Sequence, residues 1–458
     1  MICERMVHTL LIASMVAWVA GRSEAQQYNL KALGVGPPVQ VYLTNLPVPR
    51  INNLGQVVGN GSAGGYLYKG GVVSALPFGN SYGLDINNSG MTATLSSSTG
   101  DSYLSSPPYS SETDVGTLPT CLLGDNIATS LNVSGTVVGI ANVFTICAQP
   151  FLYFRGQISS LGPSSTRAWW LAINNSNQIV GYYDNAYVHR AMMQLNGTIT
   201  DLDPAYSQVY DSEALAINDA GQFIVNSNET YCTKVAPPPS RKVYTVPCRG
   251  QFWYPLLYSG TSITGLGALG SSGGFAYGIN LYGDVVGTSA IANGTTHGFL
   301  YIAGSMTDLN SHAILNASGW TILQAYDIND SGQIVALGAD TSGKQDVVVL
   351  TPGLVMPPAL VSLTLNPTSV WGGIVGANTS TGTVTLSSAA PAGGVIVTLS
   401  SSSPLAQVPA PVRVAPNATT ATFTVTTSMP VGTTSVTISA TVGGTTKSAT
   451  LTVIDVGS

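Results

Sequence analysis

Three charged residues stand at equivalent places in a repeat. Arg50, Asp85 and Asp327 each lie two positions before an Asn that recurs at 52, 87, 132, 174, 218, 280 and 329. The same position in the other copies holds Ser130, Ala172, Ala216 and Gly278. If the copies close into a ring, the last, first and second become neighbours. Asp327, Arg50 and Asp85 then meet at one depth. An Arg between two carboxylates has two readings: a structural ion cluster, or a site for a ligand carboxylate or a cation.

A second group is basic and aromatic. Between Asn226 and Gly250 lie Lys234, Arg241, Lys242 and Arg249 with Tyr231 and Tyr244, and Phe252-Trp253-Tyr254 follow. In a chain of net charge −6 this is the most basic stretch. It accounts for the longest step between marker Asn residues, 62 against 35 to 49 elsewhere. A long insertion in a compact repeat is commonly functional. The chemistry on offer is an aromatic-basic surface for an anionic glycan or a protein. The structural alternative is a decorative hairpin pinned by a disulfide.

Four cysteines, Cys121, Cys147, Cys232 and Cys248, follow the leader described below. An even count in an exported chain predicts two disulfides, and the pairs nearest in sequence are Cys121–Cys147 and Cys232–Cys248. No Cys-x-x-Cys spacing exists, and His189, His297 and His312 recur at no ligand spacing. No metal or cofactor is expected on these grounds. Asp327-x-Asn329-x-Ser331-Gly332 imitates the start of a calcium loop, as does Asp85-x-Asn87-x-Ser89-Gly90. The twelfth positions are Gly338 and Ser96, so the closing carboxylate is absent. Gly270-Ser271-Ser272-Gly273-Gly274 matches a nucleophile-elbow pattern but sits in a Gly/Ser connection without the strand-to-helix turn that chemistry needs. Trp169-Trp170 reads as inter-blade core, or at a rim as a platform for sugar.

The elements that must position these residues are short strands. Each copy reads as Ile/Leu-Asn-x-x-Gly-x-Val-Val-Gly, with Asn177 in the Gly place of the fourth. Asn starts a turn and Gly supplies the positive φ that closes a hairpin. An apolar-aromatic run such as Phe299-Leu300-Tyr301 and a Gly-led run such as Gly304-Ser305-Met306-Thr307-Asp308-Leu309 complete four strands per copy. A period of this length with strand composition predicts propeller blades. The last copy lacks a fourth strand because Pro352, Pro357 and Pro358 follow, while Tyr28 to Gly34 supplies one unattached strand at the other end. The expectation is a seven-bladed β-propeller over 28–352, its N-terminal strand closing the last blade. A Pro-rich linker follows at 353–358. From 359 to 458 the composition turns to Val, Thr, Ser, Ala and Gly with regular turn signals, which predicts an Ig-like β-sandwich.

The repeat resembles the HAF family of bacterial extracellular repeats. The residues that carry the resemblance are the Ile-Asn-x-x-Gly-x-Val-Val-Gly copies, His297-Gly298-Phe299-Leu300-Tyr301 and Met306-Thr307-Asp308-Leu309. It spans roughly 28–352 and implies no chemistry. The end of the chain looks like the bacterial Ig-like modules of surface proteins.

Residues 1–25 read as a signal peptide: Arg5 and His8 precede the apolar run from Leu10 to Ala20, and Ser23 and Ala25 are the small residues before Gln26. The chain is therefore expected to be secreted, at the cell surface or periplasmic, with no membrane span after cleavage. Only 8% of its 458 residues are charged and no Lys/Arg patch appears, which argues against nucleic acid. The leading expectation is a binding or interaction protein for an extracellular glycan or surface protein. The alternatives are a propeller hydrolase or lyase acting on polysaccharide, and a purely structural surface protein.

Overall fold

The computed structural model describes residues 28–455 apart from short internal segments, the longest at 40–48, 203–210 and 236–242. The leader lies outside the described residues. Two compact units separate, Tyr28–Thr351 and the chain from Pro352 onward.

The first unit is a seven-bladed β-propeller of four-stranded antiparallel sheets. Six blades are sequential in the chain. The third, for example, runs through Asn126–Leu131, Val137–Ala141, Gln149–Phe154 and Gln157–Ser160. The seventh takes Thr321–Ile328, Ile334–Ala339 and Gln345–Pro352 from the end of the repeats and Tyr28–Ala32 from the beginning. The expected closure is therefore present, and its chemistry is specific. Tyr28 is buried in the core of blade 7 among Ile334, Val348 and Leu350. Just past the strand, the Asp346 carboxylate accepts the N–H groups of Gly34, Val35 and Gly36 at 2.6, 3.0 and 2.9 Å. One buried acid thus fastens the two ends of the ring.

Each blade begins the same way because its first turn is fixed by a side chain. The Oδ1 of Asn52 accepts the N–H of Leu54 and of Gln56, both at 3.0 Å. The turn closes with Gly55 N–H on the Asn52 carbonyl, and Gly55 has φ 71°. Asn177, the one non-Gly residue at this place, takes φ 58°, as Asn can with least strain. In blades 2 to 7 the innermost strand carries a β-bulge just before the turn, as between Ala325 and Asp327. The bulge adds a local twist that re-aims the residues preceding the Asn.

The insertion in blade 5 extends the blade's own strands. The second and third strands, Phe223–Val235 and Val243–Ser259, simply continue as a two-stranded ribbon. Lys234 is paired with Tyr244 along it. Cys232 is paired with Val246 and Cys248 with Thr230, so the two cysteines are offset along the ribbon rather than facing. The side chains of residues 229–251 lie outside the described residues, and the expected Cys232–Cys248 pair with them. Cys121 and Cys147 lie outside the described residues, as do Arg241 and Lys242.

The second unit is an Ig-like β-sandwich. One sheet orders Leu360–Asn366, Thr379–Leu386, Thr420–Thr427 and Ala406–Gln407, and the other is built on Val395–Ser401, Thr434–Val442 and Thr445–Ile454. Alternation decides the faces. Val436, Ile438, Ala440 and Val442 enter the core, while Ser439 and Thr441 face outward and bond Ser448 and Thr446. Among the described residues no helix is long and apolar enough to cross a membrane.

Replacing Asp346 by Ala leaves three N–H groups without their charged acceptor. The propeller's unfolding free energy should fall by roughly 2–4 kcal/mol, read by urea denaturation. Asp346→Asn should lose less, because one amide oxygen remains.

Candidate functional site

The marker Asn residues do more than shape their own turns. Each donates its Nδ2–H to the carbonyl of the marker in the next blade. Asn52 reaches Asn87 at 2.9 Å, Asn87 reaches Asn132 at 2.8 Å and Asn132 reaches Asn174 at 3.3 Å. Asn174 reaches Asn218 at 3.0 Å, Asn218 reaches Asn280 at 2.8 Å and Asn280 reaches Asn329 at 3.3 Å. Asn329 returns to Asn52 at 2.9 Å. The ring is complete. In four blades the same Nδ2 also meets a Gln four residues on, Gln56, Gln178, Gln222 or Gln333. That Gln lies over the next blade's turn: a Cβ on Gly55 would stand 2.8 Å from Gln333 Oε1. Gly55 is thus required by φ and by its neighbour together.

A second, outer ring is incomplete. The residue after the marker accepts the N–H of its counterpart one blade earlier, as Asn88 does from Asn53 at 2.8 Å and Asp219 from Asn175 at 2.8 Å. Where that residue is Val133 or Leu281 there is no side-chain acceptor, and the chain of bonds breaks. The mouth is therefore polar but not uniform.

Inside the mouth lies a cavity of about 180 Å³. Asp85 and Asp327 line it below the amide ring. The two carboxylates are used in the same way. Asp327 accepts the N–H of its own neighbour Ile328 at 2.9 Å and of Ile51 in blade 1 at 3.0 Å. Asp85 accepts Ile86 at 2.9 Å and Leu131 in blade 3 at 2.9 Å. Arg50 lies between them and is 7% exposed. Its charge opposes the effect of burial on both acids. No direct ion pair joins Arg50 to either among the described residues. The expected ion cluster is thus a field and not a contact, because the bulged strands aim each carboxylate at backbone. Burial still prevails: it raises Asp85, and it raises Asp327 from 3.8 to about 6.

The opposite end of the propeller has different chemistry. First strands start there and second strands end there. Trp169 stacks on Tyr182 with centroids 6.2 Å apart, and Tyr182 stacks on His189 at 4.5 Å. His189 Nδ1 is 2.7 Å from Glu213 Oε1, and its Nε2 is 3.4 Å from Asp184. The Glu213 bond holds the imidazole above its usual pKa, against the effect of burial. Further round, Trp253 sets its edge on Phe275 at 5.5 Å, and Phe275, Tyr277 and Tyr326 follow at 5.3 and 6.1 Å. Trp253 is the member of the predicted basic-aromatic group that joins this arc. Lys234 and Tyr244 lie farther out on the ribbon. The His189–Glu213 pair escaped sequence reasoning, since its residues are 24 positions apart in different blades. The one available signal was Glu213 standing where blade 4 has Trp169 and blade 6 has Phe275, five positions before the marker. Among the described residues, no group of three or more His, Cys, Asp or Glu is arranged to hold a metal.

No family model matches this chain, the HAF repeat included, and no curated protein matches it. Solved structures resemble it distantly. The β-propeller domain of the Trilobed protease from Pyrococcus furiosus is 11% identical with a TM-score of 0.42, over 72% of this chain and 94% of that one. YCF48 from Cyanidioschyzon merolae is 11% identical with a TM-score of 0.35, over 72% and 96%. The extracellular domain of a putative one component system from B. thetaiotaomicron is 8% identical with a TM-score of 0.29, over 95% and 90%. At these TM-scores the likenesses carry no argument about function. The propeller assignment rests on the sheet topology above.

Two outcomes are expected. Asn174→Asp keeps the turn acceptor but loses the Nδ2 donor and sets a carboxylate against the Asn218 carbonyl and Gln178 Oε1; it should cost roughly 2–3 kcal/mol in urea unfolding. For Asp327 the native pKa is above the unfolded one, so the native state binds the proton more tightly. Its contribution to stability therefore rises as pH falls from above about 6 towards 3.8. The gain is up to ~3 kcal/mol, and the difference between wild type and Asp327→Asn across that window should reveal it.

Proposed function

We infer that this chain is an exported recognition protein of the HAF-like repeat class, which binds an extracellular glycan through the propeller face opposite the amide ring. The observation that carries the reading is the stack of Trp169, Tyr182 and His189 with Glu213 and Asp184 at its edge. Sugar rings present C–H faces that pack on aromatic rings, and hydroxyls that bond to carboxylates and imidazoles. Trp253, Phe275 and Tyr277 extend the platform towards the root of the ribbon. The ribbon carries Lys234 and Tyr244 outward, which suits a polymer that runs past the rim. Signal-directed export would bring such a face to extracellular polysaccharide.

Recognition is favoured over hydrolysis by the state of the channel acids. Both oxygens of Asp85 and of Asp327 accept backbone N–H groups. Acids held in this way are stapling the scaffold, and the two carboxylates at the platform, Glu213 and Asp184, both lie against His189.

The test is a glycan array with the mature protein, beside Trp169→Ala and a deletion of residues 229–249. At least one polysaccharide class should bind, and Trp169→Ala should weaken it tenfold or more. Complete loss in the deletion alone would move the contact to the ribbon. A folded protein that binds nothing on the array, or a hit untouched by both variants, would sink the reading.

A further inference from the structure

The second unit carries very little charge. From 359 to 458 the charged residues are Arg413, Lys447 and Asp455. At one end of the sandwich two turns meet. The strand Ser369–Trp371 pairs with the end of Thr445–Ile454, Trp371 opposite Ile454, and leads into Gly372-Gly373-Ile374. The strand Thr420–Thr427 leads into Met429-Pro430-Val431, and the chain re-enters the sheet with Thr434 opposite Val453. The turns lie in contact: a Cβ on Gly373 would stand 3.0 Å from the Met429 nitrogen, and a Cβ on Gly372 2.5 Å from Pro430 Cδ. Trp371, Ile374 and Met429 are exposed, and Val431 is completely so. Single exposed apolar side chains are ordinary. Four on two touching turns, with no charged residue in 371–378 or 428–433, make a patch.

Much of the tip's backbone is bonded within the protein. That matters for any partner that excludes water, because in an apolar medium each N–H needs an acceptor from the protein itself. The N–H groups of Trp371, Gly372 and Gly373 go to the carbonyls of Ala377, Ile454 and Thr427 at 3.1, 3.1 and 3.3 Å. Gly432 N–H goes to the Asp455 carboxylate at 2.9 Å. Pro430, between Met429 and Val431, has no N–H to satisfy.

We propose that this end of the sandwich docks on a membrane, setting Trp371, Ile374, Met429 and Val431 into the interfacial layer of a zwitterionic phospholipid bilayer. Size selects a bilayer over a protein. A stable protein interface takes roughly 20–30 residues a side. Four side chains on two turns fall well short of that, whether the partner is a second copy of this chain or another protein. A fluid bilayer asks for no matching surface, and Trp is a side chain favoured at its headgroup level. Charge selects the lipid. Arg413 is opposite Ile396 and Lys447 opposite Ala440, towards the other end of the sheet. Among the described residues of this unit the charge at the tip is Asp455, held to Gly432, which an anionic leaflet would repel. The site rests on the sandwich alone and does not depend on the glycan reading.

The experiment is sedimentation of the mature protein with phosphatidylcholine vesicles, beside quenching of its Trp fluorescence by brominated phosphatidylcholine. The bound fraction should rise with lipid to a plateau. Met429→Ser combined with Val431→Ser, both at exposed positions, should lower the partition coefficient roughly tenfold or more. Trp371→Phe should keep most of the binding and lose the quenching, which assigns the quenching to the tip rather than to the Trp residues of the propeller. No binding to phosphatidylcholine vesicles would overturn the proposal, as would binding that appears only when phosphatidylglycerol is added. Binding unchanged in the Met429/Val431 variant, or quenching that survives in Trp371→Phe, would place the contact elsewhere and sink it equally. So would a dimer of the free protein, broken by the same variant, in place of vesicle binding.

Discussion

The structure depends on one hydrogen bond made seven times: a side-chain amide N–H of one blade on a turn carbonyl of the next. The turn needs an acceptor for N–H groups two and four residues on, and the blade interface needs a donor about one side chain away. Asn is the short residue that carries both. Asp would supply the acceptor and repel the carbonyl, and Ser would be too short to do both. The amide is buried in all seven blades, so a missing partner would be costly. Each blade's first turn therefore cannot form its full set of bonds without a neighbour. Closure at Asp346 and Tyr28 completes a cycle that each blade alone leaves open.

This explains what was legible in the chain and what was not. The Asn-x-x-Gly period was readable because the turn demands it locally. The borrowed N-terminal strand was readable because the seventh repeat stops at Pro352 while a strand stands unattached at Tyr28. The ribbon of blade 5 had its signs too: Val243, Tyr244, Thr245 and Val246 are strand formers, and Pro237-Pro238-Pro239 marks a break between two such runs.

Other features depend on contacts between blades and leave no local trace. Arg50, Asp85 and Asp327 were placed at one depth correctly, by counting from the marker. Their partners could not be counted. Asp327 turns to Ile51 N–H, and Asp85 to Leu131 N–H, because a bulge before each turn aims the side chain at the next strand's backbone. A sequence shows two acids and an Arg and suggests ion pairs. The fold instead satisfies the acids with backbone and leaves Arg50 to act on them through its charge. His189 and Glu213 likewise meet only because blades 4 and 5 are adjacent.

The two ends of the ring consequently differ in what they are able to vary. At the turn end the marker and the residue before it are committed to closure, so a change there is felt by two blades. Two positions before the marker, the side chain contributes nothing that the ring requires in every copy: Ser, Ala, Gly, Arg and Asp all occur. At the far end, five positions before the marker, blades 2 to 7 carry Tyr82, Ile127, Trp169, Glu213, Phe275 and Gln324 with the same freedom. Chemistry can be placed in these two layers without disturbing the amide ring. It is in these layers that Asp85, Arg50, Asp327 and Glu213 stand together with Trp169 and Phe275 of the ring stacks, and a scaffold closed by repetition makes each such departure a position worth testing.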